Sequence, residues 1–338
     1  MPFLENVVRG KNVPKARLLE VAEHYYAFDG KSPINGQNRA LVEALRAELD
    51  AHDVHLPVYW GNRNWHPLLA DTLSEMKAQG VGRALAIVTS AYSSYSSCRQ
   101  YLEDIEAARQ AMGEGAPVVD KVRVFFNHPL WIEAWVERVR EAIAKLPEAR
   151  RDTVRLAFTA HSLPLSMAEH CGYTEQLEET CRLVAGELGR QDWQLVYQSR
   201  SGPDQVPWLG PDIGQHLQAL SAIGIEDLVV IPIGFASDHM EVVFDLDTEL
   251  MAMAEGLGMN VVRAATVGTH PSFVAMLREL VEERLGTRDR RRALGSMGPA
   301  HDECLPDCCL YPARRKRVDT PTSIVTEGDP MKDTVPDP

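Results

Sequence analysis

The stretch of this sequence with the clearest chemical character is a row of carboxylates that follows an apolar run. Its four members recur at steps of three and four residues: Asp238, Glu241, Asp245 and Glu249. A helix with this spacing would place them on one face. Hard oxygen ligands of this kind suit a hydrated divalent cation and could pass it along the helix.

The same carboxylates also fit a purely structural role. Asp238 and Glu241 have the spacing of an Asp-x-x-Glu capping box, which satisfies helix amides without any ligand. Asp245 and Glu249 could simply line a solvated helix face. Taken alone, the pattern leaves a cation site and this structural role about equally open.

A second chemically capable residue is His161, in the motif FTAHSLP at 158–164. The apolar run 154–160 predicts a buried strand, and the Ser and Pro that follow predict a turn. His161 would then lie at the carboxyl end of that strand. A neutral imidazole, with an ordinary pKa near ~6.5, can accept a proton or bind a metal at neutral pH. A packed structural histidine is the commoner alternative for a lone His.

The third candidate is a set of thiols. Cys304, Cys308 and Cys309 cluster within ECLPDCCLYP, and Cys98 follows the predicted strand 82–89. In a reducing compartment such a set indicates a metal site, and four thiolates fit either structural zinc or an iron–sulfur cluster. The other two cysteines are predicted to take no part: Cys171 and Cys181.

Composition limits the classes of partner. The net charge is −13, which argues against nucleic acid because phosphate binding needs an excess of Lys and Arg. No apolar run reaches the roughly 18–20 residues that span a bilayer. The first residues have neither the basic start nor the apolar stretch of a signal peptide. We therefore expect a cytoplasmic protein with no stable membrane insertion.

Apolar runs alternate with amphipathic helical patterns along most of the chain. The predicted strands are 56–60, 82–89, 121–126, 154–160, 193–198, 226–233 and 260–264. The predicted helices are 36–51, 65–79, 97–112, 131–145, 174–189, 211–223 and 271–285. This alternation predicts an α/β fold with two Rossmann-like lobes, each a parallel sheet flanked by helices, and a cleft between them.

The pattern divides the chain into four parts. Residues 1–150 form the N-terminal lobe, and residues 151–267 form the C-terminal lobe that carries His161 and the acidic row. The helix within 268–285 is expected to pack back on the first lobe. Residues 286–313 carry the clustered cysteines, and the polar tail 314–338 is predicted to be disordered.

Together these motifs resemble those of the ferrochelatase family. The matching segments are SPIN at 32–35, FTAHSLP at 158–164, QSRSGP at 198–203, WLGP at 208–211 and GFASDHMEVVFDLDTE at 234–249, with the Tyr/Ser-rich run that ends at Cys98. The resemblance spans roughly residues 1–285. Members of that family usually begin with a strand that ends in a Gly-containing turn, and this chain begins after that point.

The resemblance implies a porphyrin in the cleft between the lobes. It assigns catalysis and ferrous iron binding to His161 and Glu241, with Asp245 and Glu249 as accessory iron ligands. The porphyrin contacts that it implies are Ser32, Tyr25 and Tyr101. In the cluster-bearing members, one internal cysteine and three C-terminal cysteines hold a 2Fe–2S cluster. These positions correspond here to Cys98, Cys304, Cys308 and Cys309.

The implied reaction inserts Fe²⁺ into coproporphyrin III to give coproheme, as in the bacterial branch of the family. Protoporphyrin IX is the alternative substrate. A cobalt or nickel chelatase acting on another tetrapyrrole usually has His where Glu241 stands, and a non-enzymatic carrier would not need the carboxylate row. For partners beyond the substrates, we expect transient contact with coproheme decarboxylase, a monomeric state and no nucleic acid.

Overall fold

The structure is a computed structural model that describes residues 2–7, 13–26, 28, 30–202 and 205–311. Within these ranges the strands β1 to β6 are Arg83–Ala86, Val118–Lys121, Arg155–His161, Trp193–Gln198, Asp227–Ile231 and Asn260–Arg263. The helices α1 to α13 are Pro2–Val7, Lys15–Tyr26, Ile34–Ala51, Leu69–Ala78, Gln100–Met112, Pro129–Ala144, Glu148–Arg151, Leu165–Ala168, Tyr173–Glu187, Ile213–Ala222, Met240–Phe244, Met251–Leu257 and Pro271–Leu285. The predicted tail 314–338 lies outside the described residues.

The larger sheet has four parallel strands in the order β4-β3-β5-β6. The chain leaves central β3 for β4 on one side and later returns to β5 on the other. This reversal makes the carboxyl end of β3 the switch point of the sheet, where α/β proteins bind their ligands. Helices cover both faces, so the predicted α/β class with parallel sheets is confirmed.

The smaller sheet is a parallel pair of β1 and β2, in which Ala86 lies opposite Lys121. The predicted strand at 56–60 is wrong, since this segment pairs with no strand of the described structure, and Leu56 is 45% exposed. The segment is a run of apolar and aromatic residues, as the prediction required. A strand, however, also needs a neighbour for its backbone hydrogen bonds.

One hydrophobic core runs from α3 to α13. Its centre is aromatic, with Phe125, Trp131 and Phe273 within 5.3–6.1 Å of one another between ring centroids. Helix α13 packs on both α3 and α6. A second apolar cluster lies on the other face of the larger sheet, beneath α10 and α12. The carboxyl end of β3 is thus supported from both sides.

Candidate active site and thiol cluster

His161 is the last residue of β3, and its position follows from the strand ending at the switch point. The backbone oxygen of Ser162 lies 2.6 Å from Nδ1 of the imidazole. That contact favours a proton on Nδ1, because a carbonyl oxygen can only accept. The other ring nitrogen, Nε2, is then free to act as a base or ligand and faces Glu241.

Glu241 reaches the site because the loop after β5 lies directly against β3. The amide of Gly234 donates to the carbonyl of Thr159 at 3.0 Å. A Cβ on Gly234 would approach the Cβ of Ala160 to 2.7 Å, so only glycine permits this close contact. The next helix, α11, begins at Met240 and carries Glu241 in its first turn.

The capping-box interpretation of Asp238 and Glu241 is wrong. The residue that caps α11 is His239, and its side chain accepts no capping hydrogen bond. Asp238 lies before the helix, and its carboxylate accepts from Arg263 at 3.1 Å. The helix starts two residues later than the pattern suggests, so Asp238 pairs with a cation and Glu241 remains available to His161.

His161 and Glu241 form an ion pair, with 3.5 Å between Nε2 and Oε1. Burial alone would lower the pKa of His161, but the charge and hydrogen bond of Glu241 outweigh it and raise the pKa above its usual range. Burial likewise opposes ionisation of Glu241, yet His161 lowers its pKa to about 2. The site therefore holds a carboxylate beside an imidazole that takes up a proton readily.

The acidic row continues in a different geometry from the one predicted. Asp245 and Glu249 lie in a π-helical segment, Asp245–Leu250, between α11 and α12. Single turns of this kind recur at functional sites because they re-aim side chains within a helix. Ser199 donates a hydrogen bond to Asp245. Burial, together with repulsion from Glu241 and Glu249, raises the pKa of Asp245 to about 6.

Tyr25 is brought to the same place from the other end of the chain. Helix α2 packs on α11, and the ring of His24 stacks on Phe244 with centroids 3.7 Å apart. Burial, and then the negative charge of Glu241, raise the pKa of Tyr25 to about 12. Its hydroxyl therefore stays protonated and can donate a hydrogen bond near the ion pair.

Two other predicted porphyrin contacts are engaged elsewhere. The hydroxyl of Ser32 accepts from the amide of Ile34 at 3.4 Å, at the start of α3. The ring of Tyr101 lies under the guanidinium of Arg63, 4.7 Å from its centroid. Neither residue is joined to His161 or Glu241 by a contact among the described residues, so their porphyrin role stays a prediction.

The sequence analysis missed His239 and Gln198. Nε2 of His239 lies 3.8 Å from the second oxygen of Glu241. The side-chain amide of Gln198 donates to the backbone oxygen of Glu241 at 2.8 Å. Each residue had a sequence feature that could have drawn attention to it. His239 lies within the acidic row, and Gln198 is the last residue of the predicted strand 193–198. Without the packing of β4 beside α11, neither position indicated contact with Glu241.

The four predicted thiols converge at a second site. Sγ of Cys98 lies 4.0 Å from that of Cys304, and Sγ of Cys308 lies 3.7 Å from that of Cys309. His301 adds an imidazole, with Nε2 3.7 Å from Cys308. Two thiolates on one tetrahedral metal, at ~2.3 Å each, would be roughly 3.8 Å apart. Both observed pairs match that spacing.

The first of these thiols is carried by another π-helical segment, Tyr95–Arg99. Arg99 donates to the carbonyl of Pro306 at 2.9 Å, which holds the C-terminal cysteine loop against this segment. Hydrogen bonds with Cys304 and Cys309 lower the pKa of Cys98, although burial opposes the effect. Burial raises the pKa of the remaining cysteines outside the cluster: Cys171 and Cys181.

Comparison with known proteins gives consistent matches over most of the chain. The family model described as ferrochelatase matches residues 1–285. A protein named ferrochelatase from Rhodopirellula baltica is 54% identical, over 94% of this chain and 91% of its own length. A coproporphyrin III ferrochelatase from Streptomyces coelicolor is 48% identical over 94% and 90%, and one from Frankia alni is 50% identical over 92% and 82%.

Solved structures share the fold at low sequence identity. SirB from Bacillus subtilis, determined with Fe³⁺, matches with a TM-score of 0.50 and 13% identity, over 72% of this chain and 91% of that one. CbiX, described as the terminal enzyme of siroheme biosynthesis in denitrifying bacteria, has a TM-score of 0.50 and 15% identity, over 75% and 94%. At this identity the likeness supports a chelatase-like fold only.

Proposed function

Because the chain belongs to the ferrochelatase family, we propose that this enzyme inserts Fe²⁺ into coproporphyrin III and releases coproheme. The observation that carries the proposal is the His161–Glu241 pair at the carboxyl end of the central strand. The named substrate comes from relatives about half identical to the chain over nearly its whole length. Of the helices that the structure describes, none is long and apolar enough to cross a bilayer.

Metal insertion exchanges one Fe²⁺ for two pyrrole protons, so the enzyme must bind the ion and accept protons at one place. His161 would accept a pyrrole proton at Nε2 as the nitrogen lone pair turns to iron. Glu241, ionised beside it, would bind the incoming ion and stabilise the imidazolium that forms. Their separation of 3.5 Å supports this division of roles.

The acidic row would then carry protons away or bring iron in. The pKa of Asp245 is raised to about 6, which suits a group that gains and loses protons near neutral pH. Glu249 is exposed and lies one turn further along, toward solvent. The hydroxyl of Tyr25, which stays protonated because its pKa is raised to about 12, would donate to the porphyrin.

The substrate assignment is tested by steady-state kinetics with two porphyrins in detergent-free buffer under anaerobic conditions. Coproporphyrin III, with four propionates, should show the higher kcat/KM with Fe²⁺. Protoporphyrin IX is the second candidate, because the Rhodopirellula relative is named only as a ferrochelatase. A higher kcat/KM for protoporphyrin IX would reverse the assignment, while turnover of neither would remove the proposed activity.

We also propose that the thiol cluster holds a 2Fe–2S centre. The donor set suits it: two pairs of sulfur atoms, each spaced for one tetrahedral iron, match the two irons of such a cluster. Cys98, Cys304, Cys308 and Cys309 would be the ligands. When bound, the cluster would cross-link the C-terminal loop to the Cys98 segment and so contribute to folding. Pyrrole metallation itself requires no electron transfer.

The cluster is tested on protein purified anaerobically. Iron and acid-labile sulfide should be present in equal amounts, with visible absorption from sulfide-to-iron charge transfer. Cys98→Ser should lose both, whereas Cys171→Ser, a matched change at a cysteine outside the set, should keep them. Stoichiometric zinc without sulfide would establish structural zinc instead.

A further inference from the structure

Gln198 is a polar side chain in an almost fully buried position. It ends β4, opposite His161 at the end of β3, and is only 1% exposed. Its backbone oxygen accepts from the amide of Ser162 at 2.8 Å, which ties the ends of the two strands together. Burying a polar side chain is costly unless it makes hydrogen bonds. The partners of its side-chain amide therefore indicate what it does.

That amide reaches the acidic row. Nε2 of Gln198 donates to the backbone oxygen of Glu241 at 2.8 Å and lies 3.5 Å from Oδ2 of Asp245. A carbonyl oxygen can only accept, so the contact with Glu241 fixes which end of the amide faces the helix. Among the residues that the structure describes, none donates to Oε1 of Gln198. The bonded half of this buried amide is thus directed at the acidic row.

The two acceptors lie on either side of a junction between helix types. Glu241 is in α11, and Asp245 is the first residue of the π-helical segment that follows. An extra residue in one helical turn changes the direction of the side chains beyond it by roughly 100° relative to those before it. A donor that reaches both residues limits the rotation of Glu241 about the helix axis.

The residue after Gln198 holds the same junction. Ser199 has a φ of 61°, in the left-handed region that residues other than glycine seldom adopt. In this conformation its hydroxyl donates to the carboxylate of Asp245. Strained backbone of this kind persists where the surrounding contacts impose it, and it clusters at functional sites. Two consecutive residues at the end of β4 therefore hold the acidic helix.

We propose that Gln198 is a positioning residue for metal insertion and holds Glu241 in the direction that faces His161. The inference rests on the proposed function, because it gives Gln198 a part in the Fe²⁺ insertion assigned to that pair. Gln198 acts through the backbone of Glu241 and not on the substrate. A small misplacement of a reacting group slows the chemical step. The effect should therefore appear in kcat and in the KM for Fe²⁺, while the KM for porphyrin, whose macrocycle offers many other contacts, changes little.

The alternative for Gln198 is a structural role, in which its amide only satisfies a buried carbonyl. Removing the donor would then lower the free energy of unfolding and leave the molecules that remain folded as active as wild type. A positioning residue differs in this respect, because the folded variant is itself slower.

The experiment is steady-state anaerobic metallation by the full chain, with coproporphyrin III or with protoporphyrin IX if that is the better substrate, and circular dichroism as the measure of folding. We expect Gln198→Met, which keeps the volume and removes the donor, to lower kcat about tenfold per folded molecule and to raise the KM for Fe²⁺. Gln198→Glu brings a carboxylate toward the oxygens of Glu241 and Asp245 and should lower kcat further. Gln194→Met, at an exposed glutamine of the same strand, is the matched control and should keep both constants.

The outcomes separate the inference from the function on which it rests. Wild-type protein that turns over neither porphyrin removes the proposed function, and the role of Gln198 with it. A wild-type kcat in folded Gln198→Met, with only its stability lowered, overturns the positioning role alone, and so does a change confined to the KM for porphyrin. If Gln198→Met fails to fold, Gln198→Asn provides the same test, because its amide is one methylene too short to reach the carbonyl of Glu241.

Discussion

At the scale of single residues, the mutual effect of His161 and Glu241 is the central feature. Each favours the charged form of the other, although the surrounding protein opposes both charges, and this effect is screened by solvent because half of the Glu241 side chain is exposed. A raised histidine pKa means that the ion pair is fully present below the unfolded-state pKa and is lost as pH rises through the folded-state pKa. The neutral imidazole that could accept a pyrrole proton therefore forms at a higher pH than it does in a free histidine.

Replacing Glu241 should reverse the sign of this shift. In Glu241→Gln the attractive charge is gone while burial remains, so the pKa of His161 should fall below its usual value. NMR titration of the imidazole in metal-free protein measures this directly. His216, whose pKa is lowered by its own burial, is an internal control that should not change. A His161 pKa that is the same in both proteins would contradict the assigned cause.

The ionised carboxylate of Asp245 should lower the free energy of unfolding at neutral pH. Its folded-state pKa is raised to about 6, so the protonated form is favoured by folding, and stability is lost as pH rises through that value. Asp245→Asn should therefore raise the free energy of unfolding by about 1 kcal/mol at pH 7, after allowance for partial exposure. Urea titrations at pH 4 should show no gain. A gain of equal size at both pH values would exclude this cause.

At the scale of elements, the two π-helical segments stand out. One carries Cys98 and the other carries Asp245 and Glu249, so each changes the direction of residues that are proposed to bind metal. The second segment is held at its solvent side by Arg263. That guanidinium bonds both Asp247, within the segment, and Asp238, before α11. Arg263 thus links the two ends of the element that presents Glu241.

Loss of the Arg263 link should loosen this element. Arg263→Met keeps the stem but leaves Asp238 and Asp247 without a cation, and we expect a cost of about 1–2 kcal/mol in unfolding free energy. Because Glu241 would be held less firmly, kcat should also fall. Arg150→Met, at an exposed arginine that pairs with Asp227, is the control and should change both quantities little. Equal effects of the two substitutions would count against a special role for Arg263.

At the scale of the whole molecule, a buried ion pair connects the segment that follows β2 with the last helix. Arg123 is fully buried, bonds both oxygens of Glu283 at 2.8 and 3.0 Å, and donates to the carbonyl of Arg292. Asn127 donates to the carbonyls of Leu294 and Gly298. The chain that leads to the cysteine loop is therefore anchored by polar contacts, although its composition predicted an irregular polar segment.

Breaking that pair should destabilise the protein strongly. Arg123→Met leaves Glu283 buried without a partner, which costs about 3–5 kcal/mol in comparable cases. The double variant Arg123→Met/Glu283→Met should recover much of the loss, since it removes both charges. Thermal and urea unfolding measure the effect. As a surface control, Arg83→Met should cost less than about 1 kcal/mol, because Arg83 is 73% exposed in its pair with Asp120.

Much of the local structure was determined by the sequence alone. The strands that became β3 to β6 and the helices between them follow from periodicity, and parallel strands bring their carboxyl ends to one edge. These rules predicted that His161 would lie at the carboxyl edge of the parallel sheet, where ligands bind, and that Glu241 would follow β5. The cluster of Cys304, Cys308 and Cys309 was also recognisable from its number and spacing. All of these signals lie within short stretches of chain, where side-chain pattern and backbone geometry are directly related.

Only the tertiary structure decided which distant residues meet. It packed helix α2, which carries Tyr25, on the helix that carries Glu241, and it brought Cys98 to Cys304. It also left the segment 56–60 without a strand partner. It also changed the α-helical spacing of the acidic row into a π-helical turn. The physical reason is common to these cases. Hydrogen bonds, burial and charge interactions between remote segments depend on how whole helices and strands pack. The periodicity of a short stretch of sequence does not predict that packing.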